Sequence, residues 1–299
     1  MHYQEFKEQL VSALKSELGA ETRVILQDIT KNNDTHLDGL TILAPDHNVA
    51  PTIYLDYYFR QYESGHTLPE ILSDILGIYR ANCPPGPIDV SFFTDYDRVK
   101  SRITFKLINY ERNRTLLADV PHYRFLDLAI VFNCLLGSDD TGNATILIRD
   151  RHLAFWDITQ DDLYALAVQN TPRLLPYEFR SMTDLLKELF SGKDVSCDLP
   201  DDALPFPMYM LSNHRKLHGA ACILYKDLLR TFAEQQGTDL YLLPSSIHEM
   251  LILPVSRDTS RIGLTEMVQD VNSSQVAREE ILSDHIYYFS RETGQITMS

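Results

Sequence analysis

The sequence predicts an α+β protein with mixed, largely antiparallel sheets and packed helices, arranged as two subdomains. Segments with apolar residues at every third or fourth position alternate with short β-like runs, which is the pattern of helices packed on sheets. Several β-like runs follow one another across short polar turns, and such connections favour antiparallel pairing. The 12 glycines include no GxG or GxxG, so the phosphate-binding turn of a doubly wound parallel sheet is absent.

The first subdomain is predicted to span residues 1–120. Its first helix is indicated by apolar residues from Phe6 to Leu18 at spacings of three and four, and it ends at Gly19. Cys83 begins a Cys-Pro-Pro-Gly-Pro stretch that no regular element can cross. The other predicted elements are a hairpin with strands at 22–30 and 37–43, helices at 54–63 and 68–79, a strand at 103–107 and a charged helix at 110–119.

The second subdomain is predicted to span residues 121–299. The apolar and β-branched run from Phe125 to Leu136 predicts one interior strand, and 144–148 predicts another. Thr159 and Ser181 are suited to cap the starts of two helices. The remaining predicted elements are strands at 208–211, 220–225, 239–243 and 249–253, helices at 226–236 and 262–272, and a hairpin at 285–298.

Composition excludes several classes of function. The 299 residues are 44% hydrophobic, and 42 acidic against 27 basic residues leave a net charge of -15. The apolar content is enough for a substantial core, while the negative charge repels phosphate backbones and anionic lipid surfaces. We therefore expect no ordinary nucleic-acid binding. Acidic mimicry of nucleic acid is an alternative, but the acidic runs are short pairs such as Asp139 with Asp140, which favours a solvated surface.

The expected compartment is the cytoplasm, with no membrane contact. The first residues lack the apolar core of a signal peptide, and no segment approaches the length of a membrane span. The four cysteines, Cys83, Cys134, Cys197 and Cys222, form no CxxC motif. Cys134 and Cys222 lie in apolar runs and are predicted to be buried small hydrophobes. We expect no cofactor.

The segment from Asp239 to Pro254 carries the most chemistry, because two apolar runs flank Ser245, Ser246, His248 and Glu249. These residue types could supply a nucleophile, a base and an acid. However, no G-x-S-x-G elbow surrounds the serines, and position 252, where the second histidine of a zinc protease would stand, is an isoleucine. A turn whose serines and histidine bond to the backbone is the favoured interpretation.

Three further patterns match known binding motifs only in part. Asp89, Asp95 and Asp97 could hold a divalent cation through oxygen ligands, but without the glycine and terminal glutamate of an EF-hand, helix capping is favoured. His214 and His218 have metal-ligand spacing but lie in a basic turn. The GxxxxG at 137–142 lacks the lysine of a P-loop and carries two carboxylates, which predicts an acidic turn.

The helix predicted at 54–63 is rich in tyrosine. Tyrosine combines a large apolar area with a polar tip, and at helical spacing these side chains occupy most of the circumference. Core packing is the favoured interpretation, and a protein-binding surface is the alternative. The residues are Tyr54, Tyr57, Tyr58 and Tyr62.

Eight segments spread along the chain carry a resemblance to a known family: 37–41, 51–55, 89–95, 125–132, 142–148, 170–176, 243–249 and 282–284. On these segments the chain resembles, almost from end to end, an uncharacterised bacterial family, a domain of unknown function found largely in anaerobic Firmicutes. The resemblance implies the class of protein and its compartment, and it implies no activity, cofactor or site residue.

We favour a non-catalytic cytoplasmic binding or regulatory accessory protein that recognises a protein or a small ligand. The alternative is a hydrolase-like enzyme that uses the Ser245, Ser246, His248 and Glu249 segment, joined by a distant carboxylate such as Asp239 or Asp284. A serine and an acid within hydrogen-bond reach of His248 distinguish the second hypothesis from the first.

Overall fold

The contacts of the chain divide it into two units. The structure is a computed structural model that describes residues 2–19, 21–84, 86–87, 91–136, 144–191, 206–256 and 261–299. The first unit comprises residues 1–31 and 35–91, and the second comprises residues 32–34 and 92–299. The boundary predicted between residues 120 and 121 falls inside the second unit, where Ile103–Asn109 pairs with Leu128–Leu135.

The first unit packs helices against a small antiparallel sheet. Its elements are α1 (Tyr3–Leu18), β1 (Arg23–Thr30), β2 (His36–Leu43), β3 (Thr52–Tyr54), α2 (Leu55–Glu63) and α3 (Leu68–Asn82). The strands lie in the order β1-β2-β3. Phe6, Leu10 and Leu14 of α1 are fully buried, and Gly19 follows the helix with a φ of 80°. The predicted first helix, hairpin and two following helices are confirmed.

The second unit begins with a sheet built around one buried strand. Its elements are α4 (Tyr96–Val99), β4 (Ile103–Asn109), α5 (Arg114–Leu117), β5 (His122–Phe125), β6 (Leu128–Leu135) and β7 (Thr145–Leu147). Strand β6 pairs with β4 along one side and with β5 and β7 along the other, always antiparallel. Every residue of β6 is buried, as the apolar run predicted, whereas β7 is half-buried.

The prediction of one strand over Phe125–Leu136 is wrong at its start. A turn at Leu126 and Asp127 separates β5 from β6, and Leu126 has a φ of 57°. Apolar side chains rarely adopt this left-handed conformation, so the residue type does not signal the turn. Tertiary contacts hold it: the Asp127 carboxylate accepts hydrogen bonds from Ser283 Oγ at 2.6 Å and from the Tyr287 hydroxyl at 2.8 Å.

The rest of the second unit adds a larger sheet and its helices. The elements are α6 (Asp150–Trp156), α7 (Gln160–Leu174), β8 (Tyr177–Ser181), α8 (Met182–Ser191), β9 (Tyr209–Asn213), α9 (Leu228–Gln236), β10 (Leu240–Ser246), β11 (Glu249–Pro254), α10 (Arg261–Ser274), β12 (Tyr287–Phe289) and β13 (Ile296–Met298). The six strands lie in the order β13-β12-β10-β11-β9-β8, each antiparallel to its neighbours. In the described ranges, no helix is long and apolar enough to cross a bilayer.

Local signals in this half predict some elements and miss others. Thr159 caps α7 as predicted, and its hydroxyl accepts a hydrogen bond from Asp162 N at 3.1 Å. The predicted strand at 220–225 is wrong, because Gly219–Leu224 forms a buried 3-10 helix. Its small residues, Gly219, Ala220 and Ala221, let the backbone enter the core. The charged helix predicted at 110–119 is reduced to a 3-10 turn and the short α5.

One hydrophobic core joins the two sheets of the second unit. The four-stranded sheet contributes Phe105 and Phe132, and the six-stranded sheet contributes Leu242 and Ile252. Helix α7 packs on β4, where the backbone N–H of Phe105 donates a hydrogen bond to Thr171 Oγ1 at 3.0 Å. The largely antiparallel α+β class predicted from the sequence is therefore confirmed.

A cluster of buried asparagines, Asn33, Asn109 and Asn113, ties the second unit together. Asn113 is fully buried, and its amide donates to Asn33 Oδ1 at 2.9 Å and to the Asn109 carbonyl at 2.8 Å. Its Oδ1 accepts from the backbone N–H of Asn33 at 2.8 Å. Asn33 in turn donates to the carbonyl of Ile281 at 2.7 Å. The side-chain amides of this cluster therefore replace the hydrogen bonds to water that these buried groups lose on folding.

Asn133 in β6 is the opposite case. Its side chain is 1% exposed, and neither amide atom has a hydrogen-bond partner within the described chain. By register it faces Thr104 and has Lys106 as its diagonal neighbour on the same face of the sheet. An unpaired buried amide destabilises a fold by about 1–3 kcal/mol.

We expect the two kinds of asparagine to respond oppositely to leucine, which has the same branched shape. Asn133→Leu should raise the free energy of unfolding by about 1–3 kcal/mol, because an unpaired amide is removed. Asn113→Leu should lower it by at least about 2 kcal/mol, because several buried partners lose their bonds. Urea unfolding followed by circular dichroism measures both. Destabilisation of equal size in the two variants would contradict this account of Asn133.

Candidate functional site

The Ser245 to Glu249 segment closes the hairpin between β10 and β11. Ser245 Oγ donates a hydrogen bond to Glu249 Oε1 at 3.0 Å, and the backbone N–H of His248 donates to Ser246 Oγ at 3.0 Å. The register shifts between Pro244 and Ser246, as at a β-bulge. Both serines are thus engaged in the turn itself, which is the role that side-chain hydroxyls commonly have at such positions.

The imidazole of His248 is held by another histidine. Its Nδ1 accepts a hydrogen bond from the backbone N–H of His218 at 3.2 Å, and the two rings stack with centroids 5.7 Å apart. The proton of the neutral ring is therefore on Nε2, which lies 3.9 Å from Glu280 Oε1. In the portion of the chain that is described, neither Ser245 nor Ser246 bonds to this imidazole.

The carboxylates proposed to join this segment lie elsewhere. Asp239 accepts hydrogen bonds from the Tyr288 hydroxyl and from the backbone N–H of Arg291, and these bonds lower the pKa of Asp239. Asp284 pairs with Arg112 and Asn272. The structure brings Glu280 to His248 instead, and no serine completes a set of nucleophile, base and acid among the residues described.

Close packing explains the environment of His218. A Cβ added at Gly219 would overlap the side chain of Ser212 and the carbonyl of His248, and Ser212 Oγ already donates to that carbonyl at 2.8 Å. His218 precedes this glycine with a φ of 53°. Burial lowers the pKa of His218 well below its usual value, and the charges of Lys106 and His248 lower it further. His218 is therefore a neutral structural residue at neutral pH.

The aspartates considered for a metal site act in local structure. Asp95 caps α4 by accepting a hydrogen bond from Asp97 N at 3.0 Å, and Asp97 pairs with Lys100 at 2.6 Å. Asp89 and the GxxxxG at 137–142 lie outside the described residues. No group of three histidine, cysteine or carboxylate side chains within the described ranges could hold a metal ion.

Of the four tyrosines considered for a binding surface, Tyr54 ends β3 and the other three lie on α2. They divide between core and surface. Tyr58 is 4% exposed and lies in the core of the first unit, and Tyr62 packs against Phe6 with ring centroids 5.6 Å apart. Tyr54 lies under the ammonium group of Lys31 at 4.3 Å. Tyr57 is 54% exposed. Tyr54 and Tyr62 are half-buried, so Tyr57 is the most accessible of the four rings, and the binding surface considered for them stays a prediction.

A groove with an aromatic floor lies in the second unit, between β8 and α9, and we call it the β8–α9 groove. Its volume is about 320 Å³. Phe179 and Phe232 form the floor as a parallel stack with centroids 4.4 Å apart, and Tyr209 meets Phe232 edge to face at 5.0 Å. The lining residues are Pro172, Tyr177, Phe179, Tyr225, Lys226, Asp227, Leu228, Thr231, Phe232 and Gln235.

Polar groups surround this floor. Lys226 and Asp227 are exposed and line the groove beside each other. The Tyr225 hydroxyl donates a hydrogen bond to the carbonyl of Leu175 at 2.8 Å, and burial raises the pKa of Tyr225. This phenol is therefore a structural donor. A concave apolar surface with a few polar groups at its rim is typical of a ligand site.

Comparison with known proteins places the chain in one family. A model described as a family of unknown function, DUF5688, matches residues 3–291. The chain belongs to this family. The resemblance to an uncharacterised family is thereby confirmed over nearly the full length. No curated protein and no solved structure matches the chain.

The β8–α9 groove of this DUF5688 chain was not predicted from the sequence. Its residues come from α7, β8, the turn at Tyr225–Asp227 and α9, and β8 itself was not predicted. One signal was available, because Leu228, Thr231, Phe232 and Gln235 recur at helical spacing on one face of α9. That spacing predicts a core-facing stripe just as readily as a binding surface.

The lowered pKa of His218 predicts a loss of stability in mild acid. Below about pH 6.5 the unfolded chain binds a proton that the folded chain excludes, so the free energy of unfolding falls as pH falls, by up to about 1.4 kcal/mol per pH unit. Burial lowers the pKa of His152 as well, and this shift acts in the same direction. Urea unfolding between about pH 7.5 and pH 5 measures the slope.

The variant His218→Asn should flatten this dependence, since asparagine tolerates the left-handed backbone and does not titrate. The matched control is His214→Asn, which changes an exposed histidine in the same loop. An equally steep slope in wild type and His218→Asn would show that His218 is not the responsible group.

Proposed function

We propose that this chain is a non-catalytic binding protein whose β8–α9 groove holds a small ligand with an aromatic ring. The observation that carries the proposal is the floor of the groove, where Phe179 and Phe232 are stacked and open to a cavity of about 320 Å³. Ligand sites in proteins begin at about 300 Å³, so the cavity suits a ligand of one or two rings. Offset and edge-to-face contacts with such rings are favourable.

The rim of the groove defines the polar part of the ligand. Lys226 offers an ammonium group and Asp227 a carboxylate, and neither has a partner among the described residues. A substituent of either charge therefore finds a counter-charge at this end of the groove. These contacts are solvent-exposed and contribute little affinity each, so the aromatic floor supplies most of the binding free energy and the rim supplies orientation.

Three observations support binding rather than hydrolysis. Ser245 and Ser246 are bonded within their turn, and His248 Nδ1 is occupied by the His218 N–H. Burial raises the pKa of the Cys134 thiol to about 11 and that of Cys222 to about 12, which makes both poor nucleophiles. We also propose that the protein has an accessory or regulatory role in the cytoplasm. The free thiols of Cys83, Cys134 and Cys222 are consistent with a reducing compartment.

Ligand-observed NMR with three related probes tests the proposal: neutral indole, anionic indole-3-acetate and cationic tryptamine. We expect all three to bind wild-type protein. Thr231→Trp should weaken binding by at least about tenfold, because Thr231 is exposed on α9 and a tryptophan there fills the groove. Lys226→Glu should weaken indole-3-acetate selectively and leave indole unchanged.

The matched control is Glu234→Trp, which places the same side chain on the exposed surface of α9 outside the groove lining. It should leave the affinity for indole unchanged. Binding that survives Thr231→Trp, or no binding of any probe to wild type, would refute the assignment of the groove.

A further inference from the structure

The outer edge of β8 has no neighbouring strand among the described residues. Strand β8 ends the six-stranded sheet and pairs only on its β9 side within the described ranges. The carbonyl of Pro176 accepts from the N–H of His214, and the N–H of Met182 donates to the carbonyl of Met208, at the two ends of β9. The even-numbered residues of β8 therefore point their backbone groups toward β9. By alternation, Tyr177, Phe179 and Ser181 direct their N–H and C=O groups outward. A row of such groups is a template for another strand.

The sequence of this edge is complementary to itself. Phe179 lies between Glu178 and Arg180, which carry opposite charges. If two copies of β8 pair antiparallel about a twofold axis at Phe179, each Glu178 faces Arg180 of the second copy. These facing positions are the non-hydrogen-bonded pairs of the new ladder, where cross-strand side chains are closest.

Charge also selects this register over its neighbours. A shift that centres the pairing on Glu178 places two carboxylates opposite each other, and a shift to Arg180 places two guanidinium groups opposite each other. Facing like charges destabilise an antiparallel pair. The register centred on Phe179 is therefore favoured by both of its charged pairs. It also places the outward N–H and C=O groups of one strand opposite those of the other.

We propose that the occupant of the β8 edge is a second copy of this chain, which extends the six-stranded sheet across a twofold axis. Tyr177, 50% exposed in the single chain, then lies beside Ser181 of the second copy. Phe179 and its counterpart become cross-strand neighbours on the groove face. The second copy thereby lengthens the aromatic floor, although the pairing does not depend on a ligand in the groove.

The dimer is expected to be weak. One pair of short strands buries less surface than the roughly 1,200 Å² of a stable interface, and the net charge of -15 on each chain opposes association. Arg180 also pairs with Glu188 of its own chain and lies 3.9 Å from Glu178 of its own chain. Both ion pairs compete with Glu178 of the second copy. Salt screens both the overall repulsion and the cross-strand pairs. The association is best measured by sedimentation equilibrium over a wide range of protein concentration.

Charge reversal tests the register. Glu178→Arg and Arg180→Glu should each raise the dimer dissociation constant by at least about tenfold, because both cross-strand pairs become repulsive. The double variant restores opposite charges in exchanged positions and should recover dimerisation. Glu234→Arg makes the same charge change as Glu178→Arg on exposed α9 and should not alter dimerisation. Circular dichroism confirms that each variant is folded.

Amide hydrogen exchange supplies a second readout that does not depend on substitution. The N–H groups of Tyr177, Phe179 and Ser181 should become protected as protein concentration rises, whereas those of Glu178 and Arg180 are protected at all concentrations by β9. A chain that stays monomeric throughout, single reversals without effect, or a double variant that remains dissociated would each overturn the proposal. Indole binding to a monomeric chain would leave the groove assignment intact.

Discussion

Burial of β6 on both faces is the constraint on which the second unit depends. Each of its residues from Leu128 to Leu135 is buried, so both faces of the strand must be covered by other elements. On one face of β6, Phe132 belongs to the core shared with the six-stranded sheet. On the other face, Val131 packs with Ile108 and Leu117. Such a strand has a continuous apolar sequence instead of an alternating one, because neither face meets water.

Covering β6 leaves irregular backbone in the interior, and asparagine side chains supply its hydrogen bonds. Ile281 and Leu282 are buried in a segment outside any sheet. Their carbonyls accept from the amides of Asn33 and Asn109 at 2.7 and 3.1 Å. A buried loop needs such partners because its backbone groups have lost water. The same segment carries Glu280, whose Oε1 lies 3.9 Å from Nε2 of His248 and whose carbonyl accepts from the N–H of Ile247 at 2.8 Å. The turn between β10 and β11 is therefore attached to this segment.

The proposed binding groove lies at the edge of the six-stranded sheet. Strand β8 has a neighbour on one side only among the described strands, and α9 packs its aromatic face against it through Phe232. Among the described residues, the outward backbone groups of this edge have no strand partner, and the rings beside it line a groove. Under our two proposals a ligand in the groove covers the rings and a second strand pairs with the backbone groups, and both involve Phe179.

Elements whose signals lie within a few residues were predictable. Gly19 ends α1, Thr159 caps α7, and the apolar residues of α1 recur on one face, because capping and helical periodicity act over about one turn of chain. The turn at Leu126 was not predictable, since its backbone conformation is stabilised by Ser283 and Tyr287 through Asp127, far along the chain. The 3-10 helix at Gly219 was mistaken for a strand because its burial depends on Ser212 and His248.

The sequence by itself therefore determined the α+β class, most helices and hairpins, the acidic character and the family. Only the tertiary structure decided which reactive-looking side chains meet. Ser245 and Ser246 lie within three positions of His248 in the sequence, yet the imidazole Nδ1 bonds to the backbone of His218, thirty positions earlier. The β8–α9 groove likewise draws on four separate segments. The physical reason is that local propensity acts between neighbours in the chain, whereas burial and strand pairing are set by the whole packed core.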